Sequence, residues 1–355
     1  VGFMRGTYAD EDGNISIEKE AYNLEMLTVA QAVRACGGKV FVEVERIVNT
    51  GTINPKSVKV PGLYVDYIVV MDEKDIPNKV VTVGGMYNPS VTGECRVPLG
   101  NTGSRPLPFD GIKVIARRAA MEFRSGMKGN LGLGMPQNVG NIMEEEGVSH
   151  DITLISESGS IGGVPAVGSD FGAHYNIIAS CDQGDHFNLF DGEGLDCAGF
   201  GLSEVDPTGS MNTNLLNGTL LGVGGFMNII STARKSVILG TFTAAGIKTA
   251  VEDGMLVIKQ EGKFKKFVNE CIQTSFSAPM AVKSGKEIIY VTERAVFKAV
   301  EGGLELIEIA PGVDLQKDIL DQMEFAPIIP EGGPKLMPAE IFQETWGGLK
   351  NSFYS

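Results

Sequence analysis

Leu154-Ile155-Ser156-Glu157-Ser158-Gly159-Ser160-Ile161-Gly162-Gly163-Val164-Pro165 says more about fold and chemistry than any other segment of this chain. A largely apolar run, residues 152–155, stops at a carboxylate, and small residues then dominate its C-terminal side. The pattern reads as a strand with Glu157 at its tip, bordered by backbone rather than by bulky side chains. A substrate carbonyl can approach a carboxylate so placed, as nucleophilic attack requires. Open α/β sheets bind ligands outside the carboxyl ends of their strands, which is where this reading puts Glu157. Taken locally, a surface turn that happens to hold a Glu explains the same residues equally well.

Working outward, a strand at 130–134, Pro136 in a first helical turn, a helix to 146 and the strand at 152–155 form a β-α-β unit. Its right-handed crossover brings both strand ends to one edge of a sheet. A helix is expected at 111–124, and strands at 236–240, 255–260 and 287–291. Earlier in the chain, residues 1–4, 39–48 and 64–71 read as strands, and 24–35 as a helix with apolar Leu24, Leu27, Ala30 and Val33 that Gly37-Gly38 ends. Between 72 and 109 the period is lost, so a domain boundary is expected near Pro106-Leu107-Pro108. The expected fold class is α/β: two open domains with mostly parallel sheets, residues 1–108 and 109–355, the second carrying Glu157. Residue 1 is not Met and falls within a strand, so the first domain is expected to be incomplete here. Its earlier part would be missing or carried by another chain.

The 355 residues are 43% hydrophobic and 21% charged, ordinary globular material with room for two cores. A net charge of −14 argues against a nucleic-acid partner and requires any anionic ligand to be held by local cations or backbone N–H groups. The five cysteines are widely spaced and lack a CxxC, which reads as reduced core thiols in a cytoplasmic protein. No two of the three histidines, His150, His174 and His186, lie at metal-ligand spacing, so no metal site is expected. No apolar run reaches the length of a membrane span.

Besides Glu157, two constellations carry possible chemistry. In Gly222-Val-Gly224-Gly225, absent side chains expose backbone N–H groups before a helix, a device that stabilises oxyanions or phosphates. Close packing of a helix on a strand explains the glycines as well, and a full dinucleotide motif is lacking. In an acidic chain the cluster Lys263/Lys265/Lys266 is a candidate for an anionic ligand, whereas Arg117 and Arg118 read as a solvated helix face. His174 and His186 read as structural. The tail 337–355, with Trp346, is of a kind that packs across subunits.

Ser156-Glu157-Ser158-Gly159 followed by Gly162-Gly163-Val-Pro165 resembles the glutamate motif of family I CoA-transferases. Further stretches are similar to the same family, in the same order. They are Arg5-Gly6-Thr7-Tyr8-Ala9-Asp10, Asn130-Leu-Gly132-Leu-Gly134-Met-Pro136, Asp191-Gly-Glu-Gly194, Gly222-Val-Gly224-Gly225-Phe226, Tyr290-Val-Thr-Glu293-Arg294 and Ile309-Ala-Pro311-Gly312. The resemblance is to the long single-chain acetate, propionate and acetoacetate type, in which a further segment precedes the point where this chain begins. It implies an enzyme that moves CoA from a short-chain acyl-CoA to a free carboxylic acid through an acyl-glutamyl anhydride and a glutamyl-CoA thioester on Glu157. Gly224 and Gly225 would then be the oxyanion donors, and Gly222, Gly132, Gly134, Lys265 and Lys266 would line the CoA site. Coenzyme A is implied as substrate and covalent intermediate, with no permanent cofactor. The implied partners are acyl-CoA, carboxylic acids, the absent segment and further copies of the chain. An acyl-CoA hydrolase using the same glutamate, or a ligand-sensing subunit of the same fold, are the alternatives.

Overall fold

A computed structural model describes residues 1–98, 100–102, 106–216 and 218–355. The chain forms two compact units, Val1–Gly103 with Ile155–Asn188, and Ser104–Leu154 with Leu189–Ser355. Among the described residues no helix is long and apolar enough to cross a membrane.

The second unit is built on an eight-stranded sheet. Five neighbours run parallel, in the order Glu287–Val291, Lys235–Leu239, Cys197–Gly201, Lys128–Leu131 and Thr153–Leu154. Ala295–Val300 and Gly303–Ile309 extend it antiparallel beyond Glu287–Val291. Residues 236–239 and 288–291 are buried throughout, as strands covered on both faces must be, and apart from Ser236 they read in sequence as apolar runs. Asp110 caps the helix Gly111–Ala120 through the N–H groups of Ile112 and Lys113.

That helix is buried almost all round, and the expectation of a solvated arginine face is corrected. Arg117 donates to the carbonyls of Ile341 and Glu344, each at 3.0 Å, with the rings of Phe109 and Trp346 beside its guanidinium. Arg118 pairs with Glu122 at 2.6 Å and Glu308 at 2.7 Å. Arg117 is covered by the chain's own tail, whose Phe342, Leu349 and Phe353 enter the core of this unit, and Arg118 by Glu308 of the strand Gly303–Ile309.

In the first unit, Gly2–Arg5, Val40–Val44 and Tyr67–Val70 form a parallel sheet, with the helix Met26–Ala35 as crossover. Val40, Val42 and Val44 alternate toward that helix, while Phe3, Phe41 and Tyr67 stack across the strands on the other face. Residues 155–188 belong to this unit, not to the second block as expected. Thr153–Leu154 is an edge strand of only two residues, and beyond it Ala166 and Ala173 bury against Ala21, Val81 and Val91. Of the five cysteines, all free, Cys197 and Cys271 are buried but Cys36 and Cys95 are exposed, which corrects the reading of five core thiols.

A buried charge cluster ties the first unit together. The fully buried Lys79 ammonium lies 2.9 Å from Glu20 and 2.8 Å from Glu45, while Lys19 reaches Glu45 at 3.0 Å and Arg5 reaches Glu20 at 2.9 Å. Burial pushes the Glu45 carboxyl up, but Lys79 and Lys19 outweigh it and hold it below its ordinary 4.5. Removing one partner of a buried pair strands the other. Glu45→Gln should therefore cost about 3 kcal/mol of unfolding free energy at pH 7, read from urea melts. A carboxylate with a lowered folded pKa contributes stability above its unfolded pKa and loses it on acidification. The gap between wild type and variant should accordingly narrow as pH falls below 4.5. Equal stabilities at pH 7 would contradict this account.

Candidate active site

Glu157 is half-buried in a turn between Leu154 and the short strand Ser160–Ile161. Ser156 and Ser158, on either side of it, both donate to the carbonyl oxygen of Gly172, at 2.9 and 2.6 Å. The Ser156 N–H donates to Ser160 O at 2.9 Å, and Gly159 N–H returns to Ser156 O at 3.2 Å. Strand pairs Ser160–Ile161 with Ala179–Ser180, and Val164–Pro165 with His174–Tyr175, extend the turn into a folded-back loop.

The glycines after Glu157 have a different cause from the one expected. Gly159 and Gly163 have φ of +116° and +73°, and a Cβ there would lie 2.2 Å from Cys181 O and 2.0 Å from Tyr175 O. The space left by their missing side chains is filled by the returning backbone, not held open for substrate. They let the loop close tightly, which fixes the turn that carries the carboxylate.

His174 and His186 are braces for this turn, as their sequence reading had it. His174 Nδ1 donates to Gly162 O at 2.8 Å from a fully buried position, and His186 Nδ1 donates to Ser156 O at 2.8 Å. Burial drives the His174 imidazole down to about 4 against the opposing bond to Gly162, His186 adding a smaller push downward, and burial also lowers His186.

The remaining candidates lie in the second unit. Gly132 and Gly134 follow the carboxyl end of Lys128–Leu131; Gly132 N–H extends the ladder to Gly199 O at 3.0 Å, and Gly134 N–H meets the Gln137 side chain at 3.0 Å. Gly222 and Gly224 are exposed with φ of +81° and +52°, and nothing lies within 4 Å of a Cβ built on either. Buried Gly225 precedes the helix Phe226–Thr232, whose first ring packs edge-on against Phe200 of the strand Cys197–Gly201. Among the described residues, neither the Gly224 nor the Gly225 N–H is spent on a backbone bond.

The two lysines separate. Lys265 donates to the carbonyls of Asp321 and Met323, both at 2.9 Å, and so is engaged within the chain. Lys266 points inward to Leu202 O at 3.2 Å and Thr241 Oγ1 at 3.4 Å, at the carboxyl ends of two adjacent parallel strands. Burial pulls its ammonium down to about 8 against the attraction of Glu293.

Beside it lies a network to which the sequence reading gave no role. Glu293 accepts from Phe242 N–H at 2.9 Å and from Arg294 Nε at 2.8 Å, and Arg294 reaches Glu261 at 2.8 Å. Both members of the pair are essentially inaccessible. The available signal was adjacent opposite charges directly after a buried apolar strand, where a lone charge would be too costly.

The buried imidazole generates a test. A histidine with a lowered folded pKa stays neutral in the fold, so its stability is complete above its unfolded pKa of 6.5 and declines as pH falls toward 4. Wild type should lose on the order of 3 kcal/mol across that interval from this group. In His174→Asn the amide can keep the bond to Gly162 O but cannot titrate, so thermal melts should show a flatter profile. An unchanged slope between pH 6.5 and pH 4 in the variant would remove the assignment.

Comparison with known proteins follows the same lines. The family model for coenzyme A transferase matches residues 1–71. The caffeate CoA-transferase of Acetobacterium woodii is 45% identical over 354 residues, covering 98% of this chain and 66% of its own length. The acetate CoA-transferase YdiF of Escherichia coli K12 is 42% identical over 344 residues, covering 96% and 63%. The crystal structure of the acyl-CoA transferase YdiF of E. coli O157:H7, in a thioester complex with CoA, has a TM-score of 0.88 at 39% identity over 98% of this chain and 64% of that one. The chain thus spans 63–66% of the length of these curated relatives. Its sequence aligns with theirs almost from end to end and its fold follows the YdiF structure: the chain belongs to the coenzyme A transferase family.

Proposed function

We propose that the protein transfers CoA from a short-chain acyl-CoA to a free carboxylic acid, with Glu157 as the nucleophile. The observation that carries this reading is the turn at Glu157, a half-buried carboxylate whose neighbours on both sides are pinned to one carbonyl oxygen. Relatives named as acetate and caffeate CoA-transferases, and one solved as a thioester complex with CoA, support the same chemistry.

In the first half-reaction a Glu157 oxygen attacks the thioester carbonyl, the C–S bond breaks and CoA leaves as thiolate, giving an acyl-glutamyl anhydride. The thiolate attacks the glutamyl carbonyl, the donor acid leaves as carboxylate, and Glu157 becomes a CoA thioester. A second carboxylate reverses these steps, so the thioester bond is conserved and no water is consumed. A carboxylate is a modest nucleophile, so acceleration must come from positioning and from stabilising tetrahedral oxyanions. Gly224 and Gly225 N–H groups are assigned that second role, and the CoA tail supplies binding energy remote from the reacting bond. Gly132, Gly134, Gly222 and Lys266 are assigned to the CoA site. Lys265, already bound to two carbonyls, is the weakest of the proposed contacts.

Incubation with acetyl-CoA and no acceptor should leave a CoA adduct on the Glu157 peptide, detected by mass spectrometry. An adduct elsewhere, or one that survives in Glu157→Gln, rules out the assignment. Glu157→Asp withdraws the carboxylate by one methylene, and kcat should fall by at least about 100-fold. Release of free CoA without transfer to an added acid would point to a hydrolase instead.

A further inference from the structure

Gly172, whose carbonyl oxygen pins Ser156 and Ser158, lies in a segment that two earlier elements of the first unit hold. One is Tyr22. Its hydroxyl donates to Phe171 O at 3.1 Å, one residue before Gly172. A Cβ on Gly172 would lie 3.3 Å from the Tyr22 ring and 3.2 Å from Ser158 Oγ, so ring and serine hydroxyl both close in on this glycine. Its φ of +91° is one that side chains rarely adopt. Burial pushes the Tyr22 phenol up to about 12, against the Val83 backbone and the Thr82 side chain, so the hydroxyl keeps its proton to donate.

The other element is a hairpin at 79–87, in which Tyr87 N–H donates to Lys79 O at 2.8 Å and Val81 N–H to Gly85 O at 2.9 Å. Its tip grips the residues just before Gly172. The Gly84 and Gly85 N–H groups donate to Ser169 O at 3.0 and 3.2 Å. Thr82 Oγ1 accepts from Gly85 N–H at 2.8 Å, and lies 2.9 Å from Ser169 O and 3.0 Å from Asp170 Oδ1, one of which takes its proton. The two elements share a root. Lys79 opens the hairpin, Glu20 precedes Tyr22 by two residues, and their side chains form the buried ion pair at 2.9 Å. The arms are thus tied to each other before they reach residues 169–172.

We infer that Tyr22 and Thr82 are positioning residues for Glu157, acting through residues 169–172 and the Gly172 carbonyl rather than by touching substrate. That Glu157 is the group to be placed rests on the transferase reading above. Magnitudes favour placement over folding as their role. Each side chain supplies one or two hydrogen bonds, a small share of what holds a unit of this size together. A shift of about 1 Å in a reacting group, by contrast, costs on the order of 100-fold in rate. Ala166 and Ala173, which pack the loop onto this unit, are short and carry little direction. Loss of either clamp therefore leaves the fold standing while the Gly172 oxygen, both serines and the carboxylate between them drift together.

The test uses the full chain and exchange between acetyl-CoA and propionate. Tyr22→Phe keeps the ring against Gly172 and deletes only the hydroxyl, whereas Thr82→Val keeps the shape and deletes the side-chain bonds of the tip. Each should lower kcat about ten-fold or more, leave KM for acetyl-CoA within about two-fold, and melt within about 4 °C of wild type. Thr82→Ser restores the hydroxyl and should recover most of the lost kcat. Hydrogen exchange of the 156–160 amides, followed by mass spectrometry without substrate, should quicken in both variants and slow again in Thr82→Ser. A variant that matches wild type in kcat and exchange, or that does not fold, removes its residue from the assignment. Parallel losses in kcat, KM and melting temperature, with no rescue by Thr82→Ser, reduce both residues to a folding role and overturn the proposal. The two readings fail separately. Faster exchange at 156–160 in the variants, with no CoA adduct on Glu157 in wild type, keeps the clamp and removes the transferase. An adduct in wild type, with kcat and exchange unchanged in the variants, does the reverse.

Discussion

The carbonyl oxygen of Gly172 takes hydrogen bonds from the serines on both sides of Glu157, and the rest of the loop is arranged to keep that possible. A hydrogen bond of this kind contributes only about 1 kcal/mol net. What matters is that both bonds end on one atom, so the backbone carrying the carboxylate cannot rotate without breaking them together. Irregular backbone that is half-buried must also satisfy its remaining polar groups. His174 and His186 do so for Gly162 and Ser156, and burial lowers the pKa of both imidazoles. Where a reacting group must be held to within a fraction of an ångström, support of this kind matters, because effective molarity falls steeply with misplacement.

How much of this was legible in the sequence depended on whether the cause was local. Strands 235–239 and 287–291 were readable because burial on both faces leaves apolar runs at 237–239 and 288–291. The helix at 111–120 was readable as a helix but not in its surroundings, since Arg117 is covered by a tail more than 200 positions away and Arg118 pairs with Glu308 of a distant strand. The glycines after Glu157 were noticed for a real reason but explained wrongly. Their partners are the backbones of Tyr175 and Cys181, and nothing in a short window shows that the chain doubles back onto itself. Lys265 and Lys266 could not be told apart by composition. In extended backbone, neighbours point to opposite sides, one to carbonyls at the surface and the other inward. Assignment of 155–188 to the first unit had no sequence signal, because it depends on small alanine contacts with residues near 21, 81 and 91.

The carboxyl edge of the second unit's sheet carries an unusual concentration of buried charge for an acidic chain. Glu293, Arg294 and Glu261 form a chain of ion pairs that fixes the segment after Lys235–Leu239 through the Phe242 N–H and the Phe242 ring. Replacing such a network with apolar residues is often neutral or stabilising, so stability alone is a weak reason for it. Its geometry suggests a stronger one. Lys266 joins Leu202 to Thr241, and Glu293, two residues beyond the strand Glu287–Val291, accepts from Phe242 N–H; together they tie the ends of three adjacent parallel strands. Ligands of open α/β sheets bind at such strand ends. Loops there are made of irregular backbone, and preorganised N–H donors stabilise developing charge only if they need not move when it appears. Buried ions are a costly way to hold a loop, but they are directional where apolar contacts are not.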